Sequence, residues 1–411
     1  MNRIILVGNG FDLAHGLKTK YEDFINWYWN NWRDTLKNAT KSILSDELIE
    51  INTNRGVGYI NRYFWNIDKT NNVYKYICDV KINHGRLINI KISPFLEKIS
   101  KSIEEKGWVD IERDYYEMLS ENIDNKEMII DLNKDFEIIQ QLLIQYLSKI
   151  QKEEISDLII NDNIKEKMFA PFSKNEIAIT ANEKWQTFVW DRTDEASINK
   201  IMHILNDYKK YDIQISDIKD ILKKEKTHLI FGNSFNDKRA ELLLLPDRIL
   251  LLNFNYTNTA NLYLSNSPCF IINHIHGDLN SPQNIIFGYG DESDDEYKKA
   301  RKLNDNEYLR YIKTIRYLET THYRELLDFI ESDTYQVCIM GHSCGLSDKT
   351  MLNTLFEHKN CVSIKPYYYI DNKGKDNYLD IVQNISRNFT DMKLMRDRVV
   401  NKTYCETLSN T

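Results

Sequence analysis

Hydrophobic positions along this chain follow two periods. The residues Ile4-Ile5-Leu6-Val7 form an unbroken apolar run that ends in Gly8-Asn9-Gly10-Phe11-Asp12. That is the pattern of a strand buried on both faces and emptying into a glycine turn. Comparable short runs lie at 249–252, 269–275, 285–287, 337–340 and 362–369. Between these two regions the period lengthens to that of a helix. Tyr21, Phe24, Ile25, Tyr28 and Trp32 fall on one stripe, opened by Thr19-Lys20-Tyr21-Glu22 in capping-box form, which leaves 8–18 as a long loop. Ile139, Leu142, Leu143, Tyr146, Leu147 and Ile150 give a second stripe, and similar polar-rich periodicity runs over roughly residues 90 to 225. Short unalternating strands separated by helical segments predict an α/β fold, a Rossmann-like and mostly parallel sheet with a large helical insertion. The expected division is a nucleotide-binding core from 1–33 plus 246–372, an insertion over 34–245, and a C-terminal helical tail over 373–411. That tail reads as one or two amphipathic helices ending in a frayed polar terminus.

Composition narrows the class. At 411 residues the chain exceeds the size of a single core. With 14 glycines and 6 prolines against 25 tyrosines and 16 phenylalanines it reads as helix-rich and short of linkers. The six cysteines contain no Cys-x-x-Cys spacing, so neither a zinc site nor a disulfide framework is indicated, and a reduced cytoplasm fits. The first apolar run stops at Gly8, too short for a signal peptide, and 242–252 is broken by Pro246-Asp247-Arg248, so no membrane span is expected. A net charge of −7 argues against a protein that coats nucleic acid. The run Asp291-Glu292-Ser293-Asp294-Asp295-Glu296 reads as solvated surface, since it lacks the oxygen spacing of a calcium loop.

In a parallel sheet ligands bind outside the carboxyl ends of the strands, so the polar residues closing each apolar run carry the candidate chemistry. Four such ends stand out: Gly8 to Asp12, Asn253-Phe254-Asn255-Tyr256-Thr257, His274-Ile275-His276-Gly277-Asp278, and Gly341-His342-Ser343-Cys344-Gly345 continuing to Ser347-Asp348. The first is either a structural turn or a cup whose backbone N–H groups receive phosphate. His274 and His276 would share one face of a strand, as metal ligands or as core histidines, with His276 better placed as a general base. The fourth matches Gly-x-Ser-x-Gly, the nucleophile elbow of serine hydrolases. The only later histidine is His358, at the end of the adjoining helix, which argues for a second phosphate or ribose cup instead.

Taken in order, these motifs resemble the AbiH family, the bacterial phage abortive-infection group. The likeness rests on residues 5–17 with Tyr21 and Phe24, on Trp108-Val109-Asp110-Ile111-Glu112, on Phe254-Asn255-Tyr256-Thr257, on His276-Gly277, and on Gly341-His342-Ser343 with Ser347-Asp348. Their order is also similar to the sirtuin-like group of NAD-binding and NAD-hydrolysing domains. That resemblance implies Asn255 and His276 as a catalytic pair. It implies Gly8, Asn9, Gly10, Phe11, Asp12, His15, Gly341, Ser343 and Asp348 as residues around NAD, bound as substrate or ligand without a metal. Two functions follow: a cytoplasmic defence enzyme hydrolysing NAD or a related nucleotide at the nicotinamide–ribose bond, or a nucleotide-binding sensor without turnover. Thr257, where an acidic residue is common, favours the second; Asn255 with His276 favours the first. Expected partners are a nucleotide, a phage or host protein trigger and a second copy of the chain, with neither membrane nor nucleic acid.

Overall fold

A computed structural model describes residues 1–194, 196–208, 213–231, 235–264 and 268–409. Among the described residues the strands are β1 (Asn2–Val7), β2 (Ile43–Ser45), β3 (Ile49–Asn52), β4 (Asn89–Ile92), β5 (Ile249–Asn253), β6 (Phe270–His274), β7 (Tyr335–Met340) and β8 (Cys361–Tyr367). The chain divides into two compact units. One comprises Met1–Leu17, Gln151–Ile286 and Lys313–Thr411; the other comprises Lys18–Ile150 and Phe287–Ile312.

The first unit holds a five-stranded sheet in the order β6-β5-β1-β7-β8, with every pairing parallel. β1 is central, with Ile4 in register with Leu250 on one side and Val337 on the other. Its alternate residues serve two cores, which is why no polar alternation shows in the sequence. Ile5 and Val7 join a cluster with Leu251, Met340, Ile201, Ile204 and Ile218, while Ile4 and Leu6 join Leu252, Ile339, Phe329, Leu352 and Phe356. The described helical segments within 162–231 therefore cover one face of the sheet, and the described residues of 151–245 belong to the sheet unit, not to a separate insertion. Their polar-rich periodicity is that of helices with one face buried and one solvated. From β1 the chain builds outward through β5 and β6, then crosses back to β7 and β8, so the strand order reverses around β1.

The second unit is not purely helical. It contains an antiparallel sheet, β2-β3-β4, whose strands of three or four residues were too short to announce themselves in the pattern. The helix Tyr21–Lys37 buries Phe24, Ile25, Tyr28 and Trp32 as expected, but starts one residue late: the Lys20 N–H donates to the Asp23 carboxylate. The helix Lys126–Glu153 buries Ile139, Leu143, Tyr146, Leu147 and Ile150. Asp110 caps the helix Ile111–Glu121, and the buried Glu112 accepts from the Gly288 N–H at 3.1 Å. The stretch 285–287 is not a strand. In the acidic run, Asp294 caps the helix Asp295–Lys302, whereas Asp291 is buried and not solvated. In the first unit, the tail forms the helices Tyr378–Arg387 and Met392–Arg398, and the end of the expected polar terminus, 410–411, lies outside the described residues.

Candidate functional site at the carboxyl ends of the parallel strands

The expected long loop after β1 contains a short helix, Asn9–Ala14. The end of β7 runs into this turn at a distance only glycines tolerate. A Cβ on Gly341 would lie 2.1 Å from the Phe11 nitrogen, and one on Gly10 would lie 2.8 Å from the Gly341 Cα. Gly341 also has φ of +82°, a backbone angle that other residues rarely adopt. The turn's donors point inward as well. The Gly10 N–H donates to the Gly341 carbonyl at 2.8 Å, the Phe11 N–H to Gly8 at 2.8 Å, and the Gly8 N–H to Met340 at 3.4 Å. These glycines therefore join two backbones, and three N–H groups of the anticipated phosphate cup are already engaged.

The loop after β5 is clamped to the same place. The Phe254 N–H donates to the Val7 carbonyl at 2.9 Å, and the Asn255 side-chain amide to the Gly8 carbonyl at 3.0 Å. Asn253 orients this loop, its Oδ1 accepting from the Asn255 N–H and its Nδ2 donating to the Thr257 carbonyl. Thr257 Oγ1 donates to Asp12 Oδ2 at 2.6 Å. Asp12 is buried, and its Oδ1 has no hydrogen-bond partner among the described residues. Burial pushes its carboxyl up to about 6, against the opposing effect of Thr257, Thr259 and Asn255. His15 is half-buried between the Phe11 carbonyl, 2.8 Å from Nδ1, and the Tyr263 hydroxyl, 2.7 Å from Nε2. Both its ring nitrogens are thus occupied within the fold, and burial lowers its basicity.

A buried charged cluster sits at the exits of β6 and β7. Asp348 receives the Lys313 ammonium at 2.9 Å, His276 Nε2 at 3.3 Å and His342 Nε2 at 3.5 Å. Burial opposes charge on this carboxylate, but Lys313 and the histidines outweigh it and hold it well below the usual carboxylate range. His276 lies 3.1 Å from the Tyr317 hydroxyl and edge-on to Phe254, with ring centroids 5.3 Å apart. Burial, reinforced by the Lys313 charge, pushes its imidazole down to about 4 despite Asp348. It is therefore neutral at pH 7. A proton on Nε2 suits the facing carboxylate and leaves the lone pair on Nδ1, an assignment made from the partners. His342 accepts the Cys344 N–H on Nδ1, which turns its Nε2–H to Asp348.

His274, the last residue of β6, takes different partners from His276 beyond it: it bonds Asn253 through Nδ1 and Asn261 through Nε2. Among the described residues no group of three or more His, Cys, Asp or Glu side chains is arranged to hold a metal ion. Ser343 is exposed, and the left-handed residue of its turn is Cys344, with φ of +55°. His358 stacks on Tyr335 at the start of β7, 6.1 Å between centroids, so it lies at the opposite end of that strand from Ser343. A six-residue strand spans roughly 20 Å, which separates the two beyond any proton transfer. Lys313 and Tyr317 were not foreseen, because each sits singly in a segment with no motif or period to mark it.

A family model described as bacteriophage abortive infection AbiH matches residues 4–369. The chain belongs to the AbiH family. The matched region runs from within β1 to just beyond β8, so the family pattern takes in all four strand ends described above. Membership assigns the protein to abortive infection, the defence of bacteria against phage. Searches of curated proteins and of solved structures gave no match. Among the described residues no helix is long and apolar enough to cross a membrane.

Proposed function

We propose that this AbiH-family protein defends against phage by hydrolysing NAD, or a related nucleotide, at the nicotinamide–ribose bond. The observation that carries this reading is the His276–Asp348 pair: a neutral imidazole oriented by a buried carboxylate at a strand exit. Nicotinamide is a cationic leaving group, and cleavage passes through an oxocarbenium-like state as in glycoside hydrolysis. Water forms the new bond to C1′, the electron pair of the C1′–N bond goes to the nicotinamide nitrogen, and the water proton passes to His276. One N–H of the Asn255 amide serves Gly8, and its Oδ1 is the acceptor it offers a ribose hydroxyl or the water. A second reading, nucleotide sensing without turnover, is favoured by the burial of His276 beneath Phe254 and Tyr317.

Purified protein incubated with NAD, with nicotinamide release followed by chromatography, separates the two. Turnover that vanishes in His276→Ala and falls in Asn255→Ala, with phage protection lost in parallel, supports hydrolysis. Nucleotide binding without nicotinamide release supports the sensor. Because His276 packs against Phe254 and Tyr317, the Ala variant needs a melting curve beside each assay.

A further inference from the structure

Asp12 differs from the other deeply placed carboxylates of the sheet unit. Asp247 faces the Met1 ammonium and Arg192, Glu176 faces Lys365, Glu225 faces His228, and Asp348 faces Lys313. Asp12 has no basic partner among the described residues; its Oδ2 takes the Thr257 hydroxyl, and Thr259 stands behind Thr257 at 3.5 Å between hydroxyl oxygens. Oδ1 is buried without a partner, although nearly all buried polar atoms of native proteins have one. An orphaned acceptor at a strand exit calls for a donor from outside. Phosphate is the wrong guest, because it brings acceptors and like charge to a carboxylate, and the neighbouring Gly8, Gly10 and Phe11 N–H groups are spent within the fold. A hydroxyl is the right one.

We propose that Asp12 Oδ1 accepts a hydroxyl of the substrate ribose, so that the turn after β1 reads the sugar diol and not the phosphates. This rests on the nucleotide reading above and sharpens it: the substrate class is ribonucleotides, with analogues lacking one hydroxyl rejected. A site built to bond a hydroxyl discriminates strongly, since the analogue leaves a buried acceptor unpaired.

The test is calorimetric titration of wild type, Asp12→Asn and Thr257→Val with ADP-ribose and with its analogues lacking the 2- or the 3-hydroxyl of the terminal ribose. Wild type should lose about ten- to a hundredfold in affinity for one of the two analogues. In Asp12→Asn that preference should shrink to within about threefold, because the charged acceptor is gone. Thr257→Val keeps the carboxylate but frees its other oxygen, and should show an intermediate preference; it provides the reading if Asp12→Asn does not fold. Wild type that binds ADP-ribose without discriminating, or an Asp12→Asn variant that discriminates undiminished, overturns the role of Asp12 while leaving nucleotide binding standing. Wild type that binds none of the three overturns both.

Discussion

Replacing Asp12 by Asn should make the protein more stable while impairing it. Asp12 is 1% exposed and has hydroxyl and amide neighbours but no cation, so ionising it in the folded state is unfavourable. Its carboxyl rises from the ordinary 3.8 to about 6, which corresponds to about 3 kcal/mol of native-state destabilisation at neutral pH. The sign follows from linkage: the folded state holds the proton more tightly, so this contribution favours folding below about pH 4 and is lost as pH rises through about 6. His276 runs the other way. Its folded value of about 4 lies below the ordinary 6.5, so its contribution is present above 6.5 and lost as pH falls toward 4. In wild type the two slopes oppose each other over about pH 4 to 6. Other shifted groups, His276 and Asp135 among them, contribute the same slopes to both proteins, so the difference between Asp12→Asn and wild type isolates the Asp12 charge. The difference between variant and wild type should be near zero at pH 4 and about 1–3 kcal/mol in favour of the variant at pH 7. Urea unfolding followed by circular dichroism at a series of pH values measures it. An Asn variant no more stable than wild type at pH 7, or one whose advantage is the same at pH 4, would refute the account of a buried and unpaired charge.

Two further outcomes follow from the packing of the strand ends. Asp348→Asn leaves the Lys313 ammonium, 1% exposed, without its carboxylate and should cost about 3–5 kcal/mol in urea unfolding; the double change with Lys313→Met should recover much of it. Gly341→Ala places a Cβ 2.1 Å from the Phe11 nitrogen at a positive φ, and should lower the melting temperature sharply, whereas Ser343→Ala, exposed and outside any triad, should leave it within about a degree. Equal melting of the two variants would contradict the close approach of β1 and β7.

What the sequence made legible was set by how much each element depends on its own residues. β1, β5 and β7 lie inside the sheet and the edge strand β8 is buried along its whole length, so their apolar runs were continuous, and the polar exits of β1, β5, β6 and β7 marked Asp12, Asn255, His276 and Asp348 without help from the fold. Segment 285–287 is just as apolar, yet its buried Ile286 bonds the His276 carbonyl instead of joining the sheet, a choice made by tertiary position. The glycines of the first turn announced a special backbone correctly, but not its purpose. Whether a turn opens to a ligand or closes on another strand depends on what arrives opposite, and Gly341 is 331 residues away from Gly10 (341 − 10 = 331). Lys313 was invisible for the same reason: a lysine reads as surface until Asp348 is known to face it.

That separation also orders events during synthesis. Val7 pairs with Met340, so the central strand leaves the ribosome long before either of its neighbours exists. At about 5–20 residues per second the first turn waits roughly 15–65 s for Gly341, its apolar strand without a sheet to join. Asp12, Thr257, His276 and Asp348 can be brought together only after almost the whole chain has emerged. A truncated product, such as one left by interrupted translation, would contain the glycine turn and the helices but no assembled site. Under the proposed nicotinamide–ribose hydrolysis, assembly that waits on the last strands would keep half-made copies from consuming the nucleotide of the cell that makes them.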